Sequence, residues 1–144
     1  MKYQVDSGQI FITLARGDFI NKSLEAVAVK EKLTSGWVHG LGAIDYCELG
    51  LYAFENQSYI KKEFLDEYEL VNLTGNITLK DGNPFIHSHI TIADRQFSAM
   101  GGHLFDGKIS AAGEFVIVPG NIQITRKFDQ NIGLALWCLG EKNA

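Results

Sequence analysis

Three of the four histidines in this 144-residue sequence fall between positions 87 and 103, where they could bind a metal ion. Residues 85–92 alternate in polarity, so a strand there would place His87 and His89 on one face and the isoleucines on the other. Same-face neighbours lie about 7 Å apart along a strand, and side chains leaning together from that spacing can meet at one ion. This pair therefore predicts two ligands of a metal site.

His103 is the predicted third ligand. A hairpin turn near residues 93–95 would return the chain beside residues 85–92, and Gly101 and Gly102 would let the two backbones approach closely. Three neutral imidazoles with an open coordination position suit Zn²⁺, and other divalent transition ions also fit. The alternative is that these histidines form hydrogen bonds in a polar strand face or line a subunit contact.

Two charged residues are candidates for a catalytic role beside the histidines. If Glu114 is buried, it could be a partner of a metal-bound histidine, a fourth ligand or a general base. The alternative is that Glu114 is an exposed residue of a strand. Arg126 could bind an anionic substrate group or pair with Glu114, and the alternative is a solvated side chain. His39 precedes a Gly-Leu-Gly segment and is predicted to be a loop or core histidine outside the site.

The elements that must position these residues are mostly strands. Residues 10–15 form a predicted strand, residues 16–18 a turn in which Asp18 can cap the next element, and residues 19–34 the main helix. Short segments of β character follow, with turns predicted at 56–58, 81–84, 106–107 and 119–120; the predicted strands are 44–54, 59–64, 68–79, 85–92, 96–104, 108–118, 121–128 and 132–139. The pattern predicts one α+β domain over residues 1–144, with a mixed or largely antiparallel sheet and one main helix.

Charge and cysteine usage narrow the possible partners. Thirteen basic against seventeen acidic residues give a net charge of −4, which disfavours direct binding of nucleic acid, although Lys61, Lys62, Arg126 and Lys127 could form a basic face after folding.

Both cysteines stand alone in apolar stretches and are predicted to be buried reduced thiols. The first residues lack a signal-like apolar run, and no segment is long enough to span a bilayer, so a cytoplasmic location is expected.

Several segments in their order along the chain resemble the plant and prokaryote conserved (PPC) domain. They are residues 16–18 before the helix, 40–44, 68–77, 87–94 and 101–104 continuing through Glu114. The resemblance covers nearly the whole chain and implies the PPC fold, with trimers as in stand-alone prokaryotic members. The Arg-Gly-Arg hook of the DNA-binding plant proteins is absent, and Tyr68 stands where plant members commonly begin a Gly-Arg-Phe segment.

The His-x-His pair followed by Gly-Gly-His is also similar to the zinc-binding pattern of acetolactate decarboxylase, whose fold is related to that of PPC domains. This resemblance implies that His87, His89 and His103 are the ligands. Glu114 and Arg126 match only loosely the acidic and basic groups around the decarboxylase's substrate.

Two hypotheses of different classes follow. The first is a trimeric, metal-binding PPC module for binding or assembly, DNA-associated or regulatory in role. The second is a small metal-dependent lyase or decarboxylase, in which the ion would polarise a carbonyl or hydroxyl of an oxoacid-type small molecule.

Overall fold

The structure is a computed structural model that describes residues 1–139, in which nine β-strands accompany one α-helix and one turn of 3-10 helix. The first half of the chain contains β1 (Lys2–Asp6), β2 (Gln9–Ala15), α1 (Ile20–Lys30), β3 (Gly36–Ala53), the 3-10 turn (Phe54–Asn56), β4 (Ser58–Phe64) and β5 (Tyr68–Lys80). The second half contains β6 (Asn83–Ala93), β7 (Ala99–Pro119), β8 (Thr125–Asp129) and β9 (Leu134–Cys138).

All nine strands join one sheet, and every pairing is antiparallel except the short contact between β5 and β8. Four strands form a ring, because β3 pairs with β5, β5 with β6, β6 with β7 and β7 with β3. The remaining strands extend this ring: β1 and β2 from β7, β4 from β3, and the β8–β9 hairpin from β5. The predicted α+β class, a mixed and largely antiparallel sheet with one helix, is confirmed.

One apolar core lies between the ring and α1. The helix presents Ile20, Leu24 and Val27 on one face at the spacing of a helical stripe, and all three are fully buried. Alternate residues of the strands complete this core, among them Ile44, Leu73, Ile77, Ile90, Ile92, Leu104, Ile109 and Ile117. The other face of the ring strands carries the histidines and other polar side chains, together with several exposed apolar ones.

The helix differs from its prediction at both ends. It ends at Lys30 rather than at residue 34, because Lys32 takes a left-handed backbone conformation with φ of 54° that a helix cannot continue. Phe19 is the N-cap and no side chain caps the helix, so the predicted cap by Asp18 is wrong. The Asp18 carboxylate instead accepts a hydrogen bond from the backbone N–H of Ala15 and pairs with the N-terminal amine of Met1 at 2.6 Å.

The predicted turn at residues 106–107 is also wrong, because these residues lie inside the long strand β7. Leu104 pairs with Leu49 and Asp106 with Glu48, which leaves Phe105 as the extra residue of a β-bulge. The Asp106 carboxylate accepts hydrogen bonds from the backbone N–H groups of Gly107 and, on α1, Asn21. A turn-like sequence therefore bends a strand here instead of ending it.

The two cysteines are free, and only Cys47 is fully buried; Cys138 is half-buried. Burial raises the pKa of the Cys47 thiol to about 12, so this group stays protonated at neutral pH. Within residues 1–139, no helix combines the length and the apolar character needed to cross a membrane.

Candidate metal centre

The three predicted ligands lie together on one face of β6 and β7. His87 and His89 share a face because they are two residues apart on β6, and His89 pairs directly with His103 on β7. The three ring centroids are 5.1 to 5.5 Å apart, and one nitrogen of each ring lies within 4.8 Å of a nitrogen of the other two. The predicted hairpin turn joins the two strands, where Asp94 accepts hydrogen bonds from the N–H groups of Gln96 and Ser98.

Two glycines allow His103 to lie this close to its neighbours. A β-carbon on Gly101 would lie 2.6 Å from the carbonyl oxygen of Ile90, and one on Gly102 would lie 2.9 Å from that of Gly50. Both distances are too short for real β-carbons, and both obstacles are backbone atoms that cannot move aside. The close approach predicted from the Gly-Gly-His sequence is therefore present on both sides of β7.

The imidazoles fit the chemistry of a metal site. Burial is the main cause that lowers the pKa values of His87 and His103 to about 4, and nearby basic groups lower them further. Both rings are therefore neutral at pH 7 and keep a lone pair for a ligand. The Nδ1 atom of His103 is buried without a hydrogen-bond partner among the described residues, which is an unmet need that coordination or a bound molecule would satisfy.

The histidines lie where the sheet opens into a fork. β6 and β7 pair only from His89 and His103 to Ala93 and Ala99. Before His89, β6 has no partner on that side, while β7 continues and keeps its pairing with β3 along its opposite edge. The gap between the two strands is part of a cavity of about 420 Å³, which is within the usual range for small-molecule sites.

Polar groups of α1 bridge this fork. The Asn21 side chain donates hydrogen bonds of 3.0 and 3.1 Å to the carbonyl oxygens of Leu104 and Phe105 on β7, and its own oxygen accepts a 2.9 Å hydrogen bond from Ser88 on β6. Asn21 and Ser88 are both buried. These contacts satisfy backbone groups that lost their sheet partners, and they hold the two histidine-bearing strands at a fixed separation.

Two carboxylates that sequence reasoning missed also line the cavity. Burial raises the pKa of Glu25, a residue of α1; a hydrogen bond with the backbone of Ile86 opposes this change, and the nearby Asp106 adds to it. Burial likewise raises the pKa of Asp106, whereas hydrogen bonds from backbone N–H groups oppose that change. Nothing in the sequence around Glu25 indicates that the helix lies across the fork.

Aromatic rings cover one side of the histidines. Tyr59 on β4 stacks on His103 with 4.8 Å between ring centroids, and Phe105 contacts the same imidazole edge-on at 4.9 Å. The Lys61 ammonium lies 3.6 Å from the centroid of Phe105 and also pairs with Glu48. Since Lys61 is engaged in these contacts, it is less available for the basic face that the sequence suggested.

Arg126 lines the same cavity as His87 and His103. It is half-buried on β8, so the solvated alternative is wrong, and its Nε donates a 2.8 Å hydrogen bond to Thr78. Its charge contributes to the lowered pKa of His87. The described residues give it no ion pair with Glu114.

The structure does not bring Glu114 to the histidines. Its side chain is exposed on β7, where it pairs with Thr13 of β2 and Leu41 of β3, and it lines a separate groove at β1 and β2. His39 was predicted to be a loop or core residue and is neither: it lies on β3 with an exposed side chain, 3.4 Å from the Thr74 hydroxyl. It takes no part in the three-histidine group.

The fold and the converging imidazoles define a class, that of small α+β proteins with a candidate three-histidine metal site at a fork in the sheet. The chain belongs to the Plants and Prokaryotes Conserved domain family, whose model matches residues 1–121. Among curated proteins, none matches the chain by sequence.

Several solved structures are similar over almost the whole chain. A candidate DNA-binding protein from Bacteroides thetaiotaomicron has 29% identity and a TM-score of 0.92, with 95% of this chain and 96% of that chain covered. The metal-containing protein of Archaeoglobus fulgidus has 28% identity and a TM-score of 0.84, with the same coverage. The plant- and prokaryote-conserved protein of Pyrococcus horikoshii has 26% identity and a TM-score of 0.85, with 98% and 97% covered.

A more distant similarity concerns the decarboxylase fold. A Staphylococcus aureus protein of unknown function, described as similar to alpha-acetolactate decarboxylase, has 15% identity and a TM-score of 0.54. The match covers 74% of this chain and 50% of that one. At this identity it shows a shared fold and nothing about activity.

Proposed function

We propose that this protein is a cytoplasmic, homotrimeric PPC module that binds one divalent transition metal ion per chain, Zn²⁺ in its native form, through His87, His89 and His103. The observation that carries the proposal is the presence of three imidazole nitrogens within 4.8 Å of one another. Neutral rings at His87 and His103 support it, as does the similar archaeal protein described as metal-containing. Free thiols at both cysteines suit a reducing compartment.

Each part of the site would have a defined role. The three histidines would hold the ion, while Asn21 and Ser88 keep β6 and β7 at the separation that the ligands need. Tyr59 and Phe105 exclude water from one side of His103. A bound Zn²⁺ supplies a Lewis acid with an open position, which can serve structure, ligand binding or catalysis.

Metal content of untagged protein tests the proposal. We expect about one tightly bound transition metal per chain in the wild type, retained through desalting, and loss of it in His87→Gln and His103→Gln. His39→Gln is the matched control, because this exposed histidine lies outside the group. Absence of metal from the wild type, even after incubation with zinc and dialysis, would contradict the proposal.

The trimer has separate support and a separate test. The outward face of β3 and β7 exposes large apolar side chains, with Trp37 49%, Leu41 53% and Val118 43% exposed in the single chain. Contiguous exposed apolar residues are typical of interfaces between proteins. Light scattering should give a mass of about three times 16.0 kDa, and a 16.0 kDa particle at working concentration would contradict the trimer.

Direct binding of DNA is not part of the proposal, because the net charge is −4 and Lys61 and Arg126 already have other contacts. A role near DNA would then come through partner proteins. A gel-shift series tests this point: retardation of duplex DNA at low salt, lost as salt rises, would show direct phosphate contacts and overturn the exclusion.

The second candidate is a metal-dependent lyase or decarboxylase acting on an oxoacid-type substrate. The observation that favours it is the cavity of about 420 Å³, which joins the histidines to the basic Arg126 and the partly buried Glu25. Zinc-loaded protein can be screened with small oxoacids for release of CO₂. Turnover that disappears in His103→Gln, while that variant remains folded, would establish this activity, and no turnover across the panel would count against it.

A further inference from the structure

The C-terminal hairpin completes the wall of the histidine cavity. β8 joins the sheet beside β5, where Leu79 pairs with Thr125, and β9 pairs back along β8. Arg126 and residues 134–136 of this hairpin line the cavity together with His87 and His103. The family model matches residues 1–121 and so ends before the hairpin. This part of the cavity is therefore a feature of the chain beyond the matched domain.

Arg126 is held rigidly by three neutral acceptors. Its Nε donates to the Thr78 hydroxyl at 2.8 Å, one terminal nitrogen donates to the Ala135 carbonyl at 2.9 Å, and the other donates to the Asn76 amide oxygen at 2.9 Å. A guanidinium has five N–H donors, so these contacts leave two for another molecule. The orientation of the group is fixed before any ligand arrives.

The charge of Arg126 is not balanced by the described part of the chain. The ion pairs found among residues 1–139 involve other residues, and none includes Arg126. The guanidinium is half-buried and lies 5.2 Å from the centroid of the Phe85 ring. A partly desolvated cation without an acidic partner favours binding of an anion, since charge-assisted hydrogen bonds are stronger in such surroundings.

The register of the sheet places this cation beside the histidines. Asn76, which accepts a hydrogen bond from Arg126, pairs directly with His87 across β5 and β6. Side chains of such cross-strand pairs have β-carbons about 5 Å apart. A small molecule in the cavity can therefore contact the guanidinium at one end and the imidazole group at the other.

We infer that the β8–β9 hairpin forms an anion-binding subsite, in which Arg126 binds the anionic oxygen group of a small ligand whose other end faces His87, His89 and His103. The inference deepens the proposed function and rests on it, because the second end of the ligand would meet the metal. The anionic group is a carboxylate or a phosphate, since a guanidinium recognises both.

Calorimetric titration of zinc-loaded protein with pyruvate and with inorganic phosphate tests the subsite. The wild type should bind at least one of these anions, and Arg126→Gln should weaken that binding by about 10-fold or more, the effect of losing a charged hydrogen bond. Arg95→Gln is the matched control, because it removes the same charge from an exposed arginine that pairs with Glu67. Tighter binding of one probe identifies the anionic group.

A second variant tests the same idea without removing the arginine. Asn76→Asp keeps an acceptor for Arg126 but places a carboxylate beside it, so the guanidinium is neutralised in place and anion affinity should again fall by about 10-fold or more. This variant retains the hydrogen bond between residue 76 and Arg126, so the β8–β9 hairpin stays in place. It therefore gives a result even if Arg126→Gln does not fold. Thermal melts of both variants check the fold.

The outcomes separate the two ideas. Failure of the wild type to retain zinc defeats the metal proposal, and the same titrations on metal-free protein then judge the subsite alone. Zinc retention without anion binding, or with equal anion affinity in wild type and Arg126→Gln, overturns the subsite and leaves the metal site intact. Zinc content of Arg126→Gln should equal that of the wild type, because Arg126 is not a ligand.

Discussion

Two concave sites of nearly equal volume lie along the same strand, β7, and differ in their chemistry. The cavity of about 420 Å³ contains His103 near the start of β7, and the groove of about 450 Å³ contains Glu114 near its end. The cavity combines neutral imidazoles, partly buried carboxylates and the guanidinium of Arg126, which makes no ion pair within residues 1–139. In the groove Glu114 is exposed, and the described residues there include no group that could hold a metal.

The difference comes from strand pairing rather than from local sequence. His103 lies opposite His89 at the last paired position of β6 and β7, after which the two strands separate. Backbone groups beyond this point lack a partner on the other strand, and polar side chains such as Asn21 bond to them. Glu114 lies between β2 and β3 in continuous pairing, with Thr13 and Leu41 as its neighbours. A functional cavity therefore forms at the fork, whereas unbroken sheet leaves a charged residue in solvent.

The largest difference that we expect between the two sites is in the effect of a substitution on zinc affinity. His103→Gln should lower zinc affinity by more than about 100-fold, because loss of a ligand costs more than loss of the outer partners that already cost 10- to 100-fold. Glu114→Gln is the matched control on the same strand and should change zinc affinity less than about 2-fold. Competition with a chromophoric chelator measures both, and equal losses in the two variants would refute the contrast.

The fork itself is tested by Asn21→Leu. This change leaves the carbonyls of Leu104 and Phe105 and the hydroxyl of Ser88 without their partner, so we expect the free energy of unfolding to fall by about 2 to 4 kcal/mol. Asn121→Leu alters an exposed asparagine and should stay within about 0.5 kcal/mol. Denaturant unfolding gives both values, and a neutral Asn21→Leu would show that the bridge does not stabilise the fork.

The histidine side should also respond to pH in the metal-free protein. The pKa values of His87 and His103 fall from 6.5 to about 4 on folding, so between these values the unfolded chain binds more protons than the folded one. Stability is therefore lost as pH falls from about 6.5 to about 4, by on the order of 2 kcal/mol after allowance for partial exposure. Because His87→Gln lacks one of the two titrating rings, its stability should run parallel to that of the wild type above pH 6.5, and the wild type should lose more stability than the variant between pH 6.5 and pH 4.

The smallest expected effect belongs to the groove. Glu114→Gln should change the free energy of unfolding by less than about 0.5 kcal/mol, because the carboxylate is exposed and makes no ion pair among the described residues. Thermal and denaturant melts at neutral pH measure this change. A loss of several kcal/mol would mean that Glu114 has a structural partner, which would contradict the description of the groove as a site with an exposed, unengaged carboxylate.

Period-two alternation in residues 85–92 and the turn near residue 94 were enough to predict how the three histidines meet, because both signals are local. The same reasoning failed at residues 106–107, where turn-forming residues occupy a bulge whose partner, Glu48, is far away in sequence. It also failed at the helix start, since Asp18 binds the N-terminal amine of Met1 rather than capping.

Long-range pairing explains the rest of the candidate site. The sequence indicated Arg126 as a candidate but left open whether its side chain is solvated. Its acceptors, Thr78 on β5 and Ala135 on β9, come from other strands and could not be predicted from the residues around it. Glu25 reaches the cavity only because α1 lies across the fork. Glu114 was a candidate only if buried, and nothing in the sequence around it indicates which strands flank β7 and leave its side chain exposed. The last five residues of the predicted domain, 140–144, lie outside the described chain.

X-ray absorption spectroscopy of the zinc-loaded protein would identify the atoms that bind the ion. We expect three imidazole nitrogens at about 2.0 Å from the ion, with oxygen completing the coordination, and two imidazoles in His103→Gln. We expect no sulfur ligand, because both cysteines lie outside the three-histidine group. A zinc–sulfur distance of about 2.3 Å, or fewer than three imidazoles in the wild type, would contradict a three-histidine site.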